Sequence, residues 1–246
     1  MRFPALLLTL AMTAAASGCS GEQAGPADPA NPQARPAQAA QASARRHDES
    51  SWSEPDKVRI ADLALDLKLD FDARQLSGTA TYALQWADPK ATQLVLDTRD
   101  LAIDKVEGEV DGAWTPLQFE LAEADPVFGS KLTIQAPQRN ARIRVTYATS
   151  PQASGLQWLE PSMTEGGKLP FMFSQSQAIH ARSWVPLQDT PGVRFTYSAH
   201  VTTRPDVMVL MSADNDPAAV RDGDYSFTMP QPIPSYLLAI AAGDLV

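Results

Sequence analysis

The chain has 246 residues, 44% of them hydrophobic, and a formal net charge of −9 with no basic cluster. That balance excludes a nucleic-acid partner and makes acidity a solubility device. A single cysteine rules out internal disulfides, so stability must come from burial, for which a domain of about 200 residues is ample.

Met1-Arg2 gives a short positive start, Phe3 to Ala16 is apolar, and Ser17-Gly18 are small. Residues 1–18 read as a secretory signal peptide, too short to span a bilayer. Ala16-Ser17-Gly18-Cys19 resembles a bacterial lipobox, with Ala16 where a branched residue is usual. Cys19 is therefore the expected lipidation site, and the lipid the expected attachment to a membrane. Residues 19–50 are rich in Ala, Pro and Gln and show no periodicity. Such a segment cannot bury enough surface to offset its ordering entropy, and it reads as a disordered tether. As a coil of about thirty residues it would hold the domain roughly 30 Å from its anchor. Ser20, where an inner-membrane retention signal would place aspartate, favours an outer-membrane lipoprotein facing the periplasm.

Residues 51–246 carry a β pattern. Leu63, Leu65, Leu67, Leu69 and Phe71 alternate with Asp62, Ala64, Asp66, Lys68 and Asp70, the mark of a strand with one buried face. Ala73 to Gly78 is read as a turn, leading to a second alternating run at Ala80, Tyr82, Leu84 and Trp86. Leu94 and Leu96, then Ile103 and Val106, continue the series, and Asp111-Gly112 is a two-residue hairpin signal. Leu132-Ile134, Ile143, Val145 and Tyr147 add strands, as do Phe195 to Val201, Val207 to Met211, and Tyr225 to Met229 after Asp222-Gly223. Tyr236 to Ala242 is an unbroken apolar run, read as a strand buried on both faces. Twenty prolines, most of them between these runs, oppose long helices. The predicted fold is all-β, a multi-stranded antiparallel saddle or sandwich.

Catalytic motifs are missing from the chain. His47, His180 and His200 are its only histidines; no HExxH and no paired Cys/His spacing occur. His200 alternates outward on its strand and reads as a surface residue. Ser174, His180 and Asp189 could be drawn as a triad, but no G-x-S-x-G elbow supports it. Asp214-Asn215-Asp216 lacks the glycine and distal glutamate of a calcium loop. One polar segment, Phe173 to Pro191 (FSQSQAIHARSWVPLQDTP), stands apart from the rest.

Gly155 to Leu159, Pro170 to Phe173, Ser174 to Arg182 and Pro186 to Pro191 resemble the N-terminal domain of family M1 zinc metallopeptidases, the aminopeptidase N group. The likeness is closest to the leukotriene hydrolase branch. Leu210 to Ala213, Pro234 to Ile240 with Gly243-Asp244, and the opening Asp70 to Gly78 resemble it too, so the blocks span Val58 to Val246 in order. The resemblance implies a β-saddle or β-sandwich N-terminal domain of the aminopeptidase N type. Zinc would be the cofactor of the full-length enzyme, held in a following domain by HExxH and a later glutamate, with G-x-M-E-N ahead of it. This chain contains none of these motifs, is expected to be inactive alone, and reads as a fragment whose partners are the missing catalytic domain and a peptide with a free N-terminus.

By the same resemblance, Gln177 matches the position that helps bind the substrate's α-amine, and Gln175 lines the same cleft. An amide oxygen suits an ammonium donor. Arg182 and Asp189 are read as a structural, charge-assisted pair, His180 as a packed or hydrogen-bonded histidine, and Leu187 as a replacement for a cysteine common at that place. A second reading stays open: a stand-alone β-sandwich lipoprotein that binds a peptide or protein partner through the same face.

Overall fold

The computed structural model describes residues 48–216 and 218–245. The signal peptide of residues 1–18, Cys19, His47 and all of the tether but Asp48 to Ser50 lie outside the described residues.

Strand β1 (Val58–Asp70) buries Leu63, Leu65, Leu67 and Leu69 and exposes Asp66 and Lys68. Each leucine so buried contributes about 1.5–3 kcal/mol. Its pairing with β2 (Gln75–Trp86) slips between Ile60 and Asp62. This bulge absorbs one residue, which lets even-numbered Val58 and Ile60 enter the core beside the odd-numbered leucines. The turn between β1 and β2 is shorter than the sequence suggests. It ends at Arg74 (φ 50°), and Gly78, expected to close it, lies inside β2 opposite Leu67.

The main sheet has seven strands, ordered β13 (Asp224–Ile233), β11 (Phe195–Thr202), β1, β2, β8 (Arg142–Ala148), β4 (Ala102–Val110) and β5 (Ala113–Pro116). Asp111 and Gly112, with φ of 50° and 80°, make the two-residue turn between β4 and β5, as an Asp-Gly pair favours. A four-stranded sheet is ordered β12 (Met208–Met211), β14 (Ile240–Gly243), β10 (Phe171–Ser174) and β9 (Leu156–Leu159). A third sheet runs β3 (Gln93–Thr98), β7 (Ser130–Gln135) and β6 (Phe119–Leu121).

The all-β fold is as the alternation implied, with two departures in detail. Strands β1 and β11 pair in parallel, while the other named strand pairs are antiparallel. The run from Tyr236 to Ala242 is also not one strand. Ser235–Leu237 forms a 3-10 turn with Leu237 49% exposed, and only Ile240–Gly243 pairs in a sheet. Pro234 starts that turn with its fixed φ, which the apolar pattern alone does not reveal. One buried cluster draws on all three sheets, including Leu63, Leu132 and Ile240, and takes in Trp184 and Leu187 from the polar segment.

Candidate functional site

The segment Phe173 to Pro191 divides at Ala181. Residues 181–190 are all buried, whereas Gln175, Gln177 and Ala178 are exposed. The buried half is a polar junction between sheets. Arg182, 0% exposed, donates from Nε to Asp189 Oδ2 at 3.0 Å, from Nη1 to the Phe128 carbonyl at 2.8 Å, and from Nη2 to the Ser50 carbonyl at 2.9 Å. The other oxygen of Asp189 accepts from Ser235 Oγ at 2.6 Å.

Asp97, at the end of β3, lies 4.0 Å from Arg182 and accepts from Ser51 Oγ (2.6 Å), Trp52 N (2.7 Å) and Asp189 N (2.9 Å). Burial pushes its carboxyl up from the ordinary value, opposed by the Arg182 charge and those bonds. Gln188 replaces a strand. Its amide accepts from Ile60 N at 2.9 Å and donates to the Val58 carbonyl at 2.9 Å, just where β1 has not yet met β11, whose pairing starts at Asp62. Leu187 exchanges backbone bonds with Asp97 at 2.8 and 3.2 Å.

On this base stands an exposed rim. Gln175 and Gln177 flank buried Ser176, whose Oγ donates to the Leu238 carbonyl at 2.6 Å. The Gln175 backbone is held by Gly155 O at 2.8 Å, and the Gln177–Ala178 peptide is cis. Neither glutamine side chain is hydrogen-bonded to another described residue. His180 follows. Its Nδ1 lies 2.9 Å from Ser154 Oγ and 3.2 Å from Arg99 Nη1. Arg99 also reaches Ser154 Oγ at 3.3 Å and donates to the Val127 carbonyl. Near it, Trp52 and Phe128 meet edge to face with centroids 6.1 Å apart.

Ser174, His180 and Asp189 do not assemble. Ser174 Oγ accepts from Ile240 N at 2.9 Å, His180 faces Arg99, and Asp189 holds Arg182. His200 lies on the main sheet between Asp66 (3.1 Å) and Asp224 (3.0 Å). Those two bonds raise its pKa above the usual histidine value. Its contribution to stability is then complete below the unfolded pKa and fades as pH climbs through the folded one. An NMR titration is expected to place its midpoint above ~6.5, and Asp66→Asn to lower that midpoint. A midpoint at or below the free value would contradict the pairing.

A recess of about 760 Å³, lined by Lys68, Asp70, Arg204 and Asp206 among others, contains none of the segment's residues. Its charges pair among themselves, Lys68 with Asp70 and Arg204 with Asp206, which leaves little to recruit a ligand. The rim is the better candidate. Arg99, which no sequence motif marks, contacts it through His180.

Comparison with known proteins gives a consistent picture. The family model described as the peptidase M1 N-terminal domain matches residues 54–237. A leukotriene A-4 hydrolase of Xenopus laevis is 36% identical over 208 residues, 80% of this chain and 34% of the relative. A leucine aminopeptidase 2 of Pyricularia oryzae is 36% identical over 209 residues, 80% of this chain and 33% of the relative. The solved structure of yeast LTA4 hydrolase in complex with bestatin superposes with a TM-score of 0.74 at 32% identity, covering 82% of this chain and 31% of that one. The chain thus spans about a third of the length of these curated relatives.

Proposed function

Since the chain belongs to the peptidase M1 N-terminal domain family, we propose that it forms the amine-binding wall of an exported zinc metalloaminopeptidase that removes N-terminal residues from peptides. The observation that carries this reading is the pair of exposed amides at Gln175 and Gln177, neither hydrogen-bonded to another described residue, on a segment whose residues 181–190 are all buried. An ammonium donates and a carboxamide oxygen accepts, and a rigid base lowers the cost of orienting either.

The family's enzymes are zinc metallopeptidases. Among the described residues no three His, Cys, Asp or Glu side chains are grouped to hold a metal ion. His180 and His200 are each turned to other partners. The described residues do not fit the ion, and the role we propose for this chain is binding the substrate. The lipobox-like Cys19 supports the same proposal's envelope location, with a lipid as the membrane anchor and the outer membrane facing the periplasm as its site. No helix among the described residues is long and apolar enough to cross a membrane.

Two measurements test the reading. The coding sequence beyond Val246 is expected to continue through G-x-M-E-N and HExxH; a stop codon followed by an unrelated gene would overturn it and leave the rim to a stand-alone lipoprotein. In the enzyme carrying that continuation, Gln177→Ala should lower kcat/KM for unblocked peptides about 10- to 100-fold, the worth of a hydrogen bond to a charged group. Thermal stability should stay nearly unchanged. A large fall in Tm with kcat/KM intact would assign the glutamine to the fold instead.

A further inference from the structure

Arg99 adds a side-chain tie between three loops that the backbone bond of Gln175 to Gly155 and the Arg182 bond to Phe128 already bring together. Its guanidinium reaches the Val127 carbonyl between β6 and β7, Ser154 Oγ between β8 and β9, and His180 Nδ1 at the end of the glutamine rim. Arginine has donors only. Its contact with His180 therefore requires Nδ1 to be an unprotonated acceptor, with the ring proton on Nε2. Ser154 Oγ, 2.9 Å from the same nitrogen, can turn to donate or accept; Arg99 cannot.

From this geometry we infer that Arg99 is a positioning residue for the glutamine rim, a clamp that holds residues 175–180 while His180 is neutral and releases them when it is protonated. The inference rests on the amine-binding reading only for its functional meaning; the clamp itself can be measured without substrate.

Protonation at Nδ1 would place two cationic donors face to face at 3.2 Å. The charged groups around His180 weight the balance toward the neutral ring. Arg99 and Arg182 oppose protonation and Asp189 favours it, while partial burial, the largest influence, also opposes it, so the His180 pKa lies below the ordinary value. The clamp is thus closed at neutral pH and opens as the pH falls through the lowered His180 midpoint. His180 is joined to the rim by its own backbone, its N–H bonded to Ser176 O at 2.9 Å, and Gln175 N is bonded to Gly155 O beside Ser154. Movement of the His180 ring is passed directly to the glutamines.

The test uses the 246-residue chain and two NMR readouts. Imidazole 15N shifts at pH 8 should show the Nε2–H tautomer for His180, and the titration should have its midpoint below that of a free histidine. Amide exchange, corrected for intrinsic rates, should show protection of Gln175 and His180 falling about tenfold between pH 8 and a pH about one unit below the measured His180 midpoint, the loss of one charge-assisted bond. Amides in β1 and β2 should keep their protection. Arg99→Ala should give the low protection at both pH values. His180→Asn, which keeps an acceptor near the Nδ1 position but cannot titrate, should give the high protection at both.

An Nδ1–H tautomer at pH 8, or pH-independent protection in the unmodified chain, would overturn the clamp even if both variants failed to fold. Peptide turnover lost in Gln177→Ala alongside a clamp that fails these readouts would leave the amine-binding reading standing, and the converse pair of results would leave the clamp standing alone.

Discussion

Arg182→Met is expected to destabilise the domain by about 3–5 kcal/mol, the typical cost of removing one partner of a buried ion pair. For a domain of this size the fall in Tm should be about 10 °C. Arg182 is fully buried, and it supplies bonds to the Asp189 carboxylate and to the carbonyls of Ser50, Phe128 and Asp189. Methionine fills much of the volume but satisfies none of these acceptors. It also leaves Asp189 and Asp97, 1% and 0% exposed, with no cation between them. Burial already pushes the Asp97 carboxyl up against the Arg182 charge, and without that charge it would bind a proton more readily, so the variant's deficit should shrink as the pH is lowered. Pairing Arg182→Met with Asp189→Leu should recover part of the loss, because the second change removes a stranded charge. Urea denaturation of the two variants and the parent measures all three values. A single-variant loss below about 1 kcal/mol would mean that water reaches this junction and replaces the guanidinium.

Gly78→Ala is expected to be as damaging, at about 3–5 kcal/mol, through sterics and not charge. Gly78 has φ of 148°, and a Cβ built there would lie 2.0 Å from the Asp66 carbonyl oxygen and 3.1 Å from Leu67 Cα. Both obstacles are backbone of the neighbouring strand, so no side chain can rotate away. Relief requires β1 and β2 to separate locally, in the stretch that buries Leu65, Leu67 and Leu69. Gly112→Ala is the natural control. It too has positive φ, 80°, but nothing lies within 4 Å of its Cβ, and its cost should be limited to the backbone preference, about 1 kcal/mol. Equal losses for the two alanines would refute the contact argument.

The strands legible in the sequence are those with one wet face. β1, β8 and β11 each carry an alternation that survives into their burial patterns, whereas in β2 Ala80, Thr81 and Tyr82 are buried in a row. The bulge at Ile60/Asp62 was not legible, because a bulge is a relation between two strands and leaves the local pattern plausible on either side. Gly78 was misplaced for a similar reason. Glycine signals a turn by default, and only the close approach of Asp66 shows that a strand needs it here. In the polar segment, residue types could mark Arg182 and Asp189 as noteworthy. The acceptors at Ser50 and Phe128, 132 and 54 residues away along the chain, could not be read from any local spacing. Gln188 is invisible as a strand substitute, since its role is defined wholly by the edge of Val58 and Ile60 that β11 does not reach. The Arg99 contacts come from three loops and follow from tertiary closure alone.

The parallel pairing of β1 with β11 has a consequence for the order in which this chain becomes a protein. Asp62 and Thr196 are neighbours across that pair although 134 residues separate them. The β1–β2 hairpin can form as soon as its own residues are free, but one edge of β1 then stays open until the chain has been delivered past Thr202. During that interval a long strand with a leucine-rich face offers unpaired N–H and C=O groups to any other chain. Closure over so long a loop is also slow. A chain shortened anywhere before β11 should therefore self-associate and not merely lose stability, and any cell that makes this domain must shield the β1 edge until its distant partner arrives.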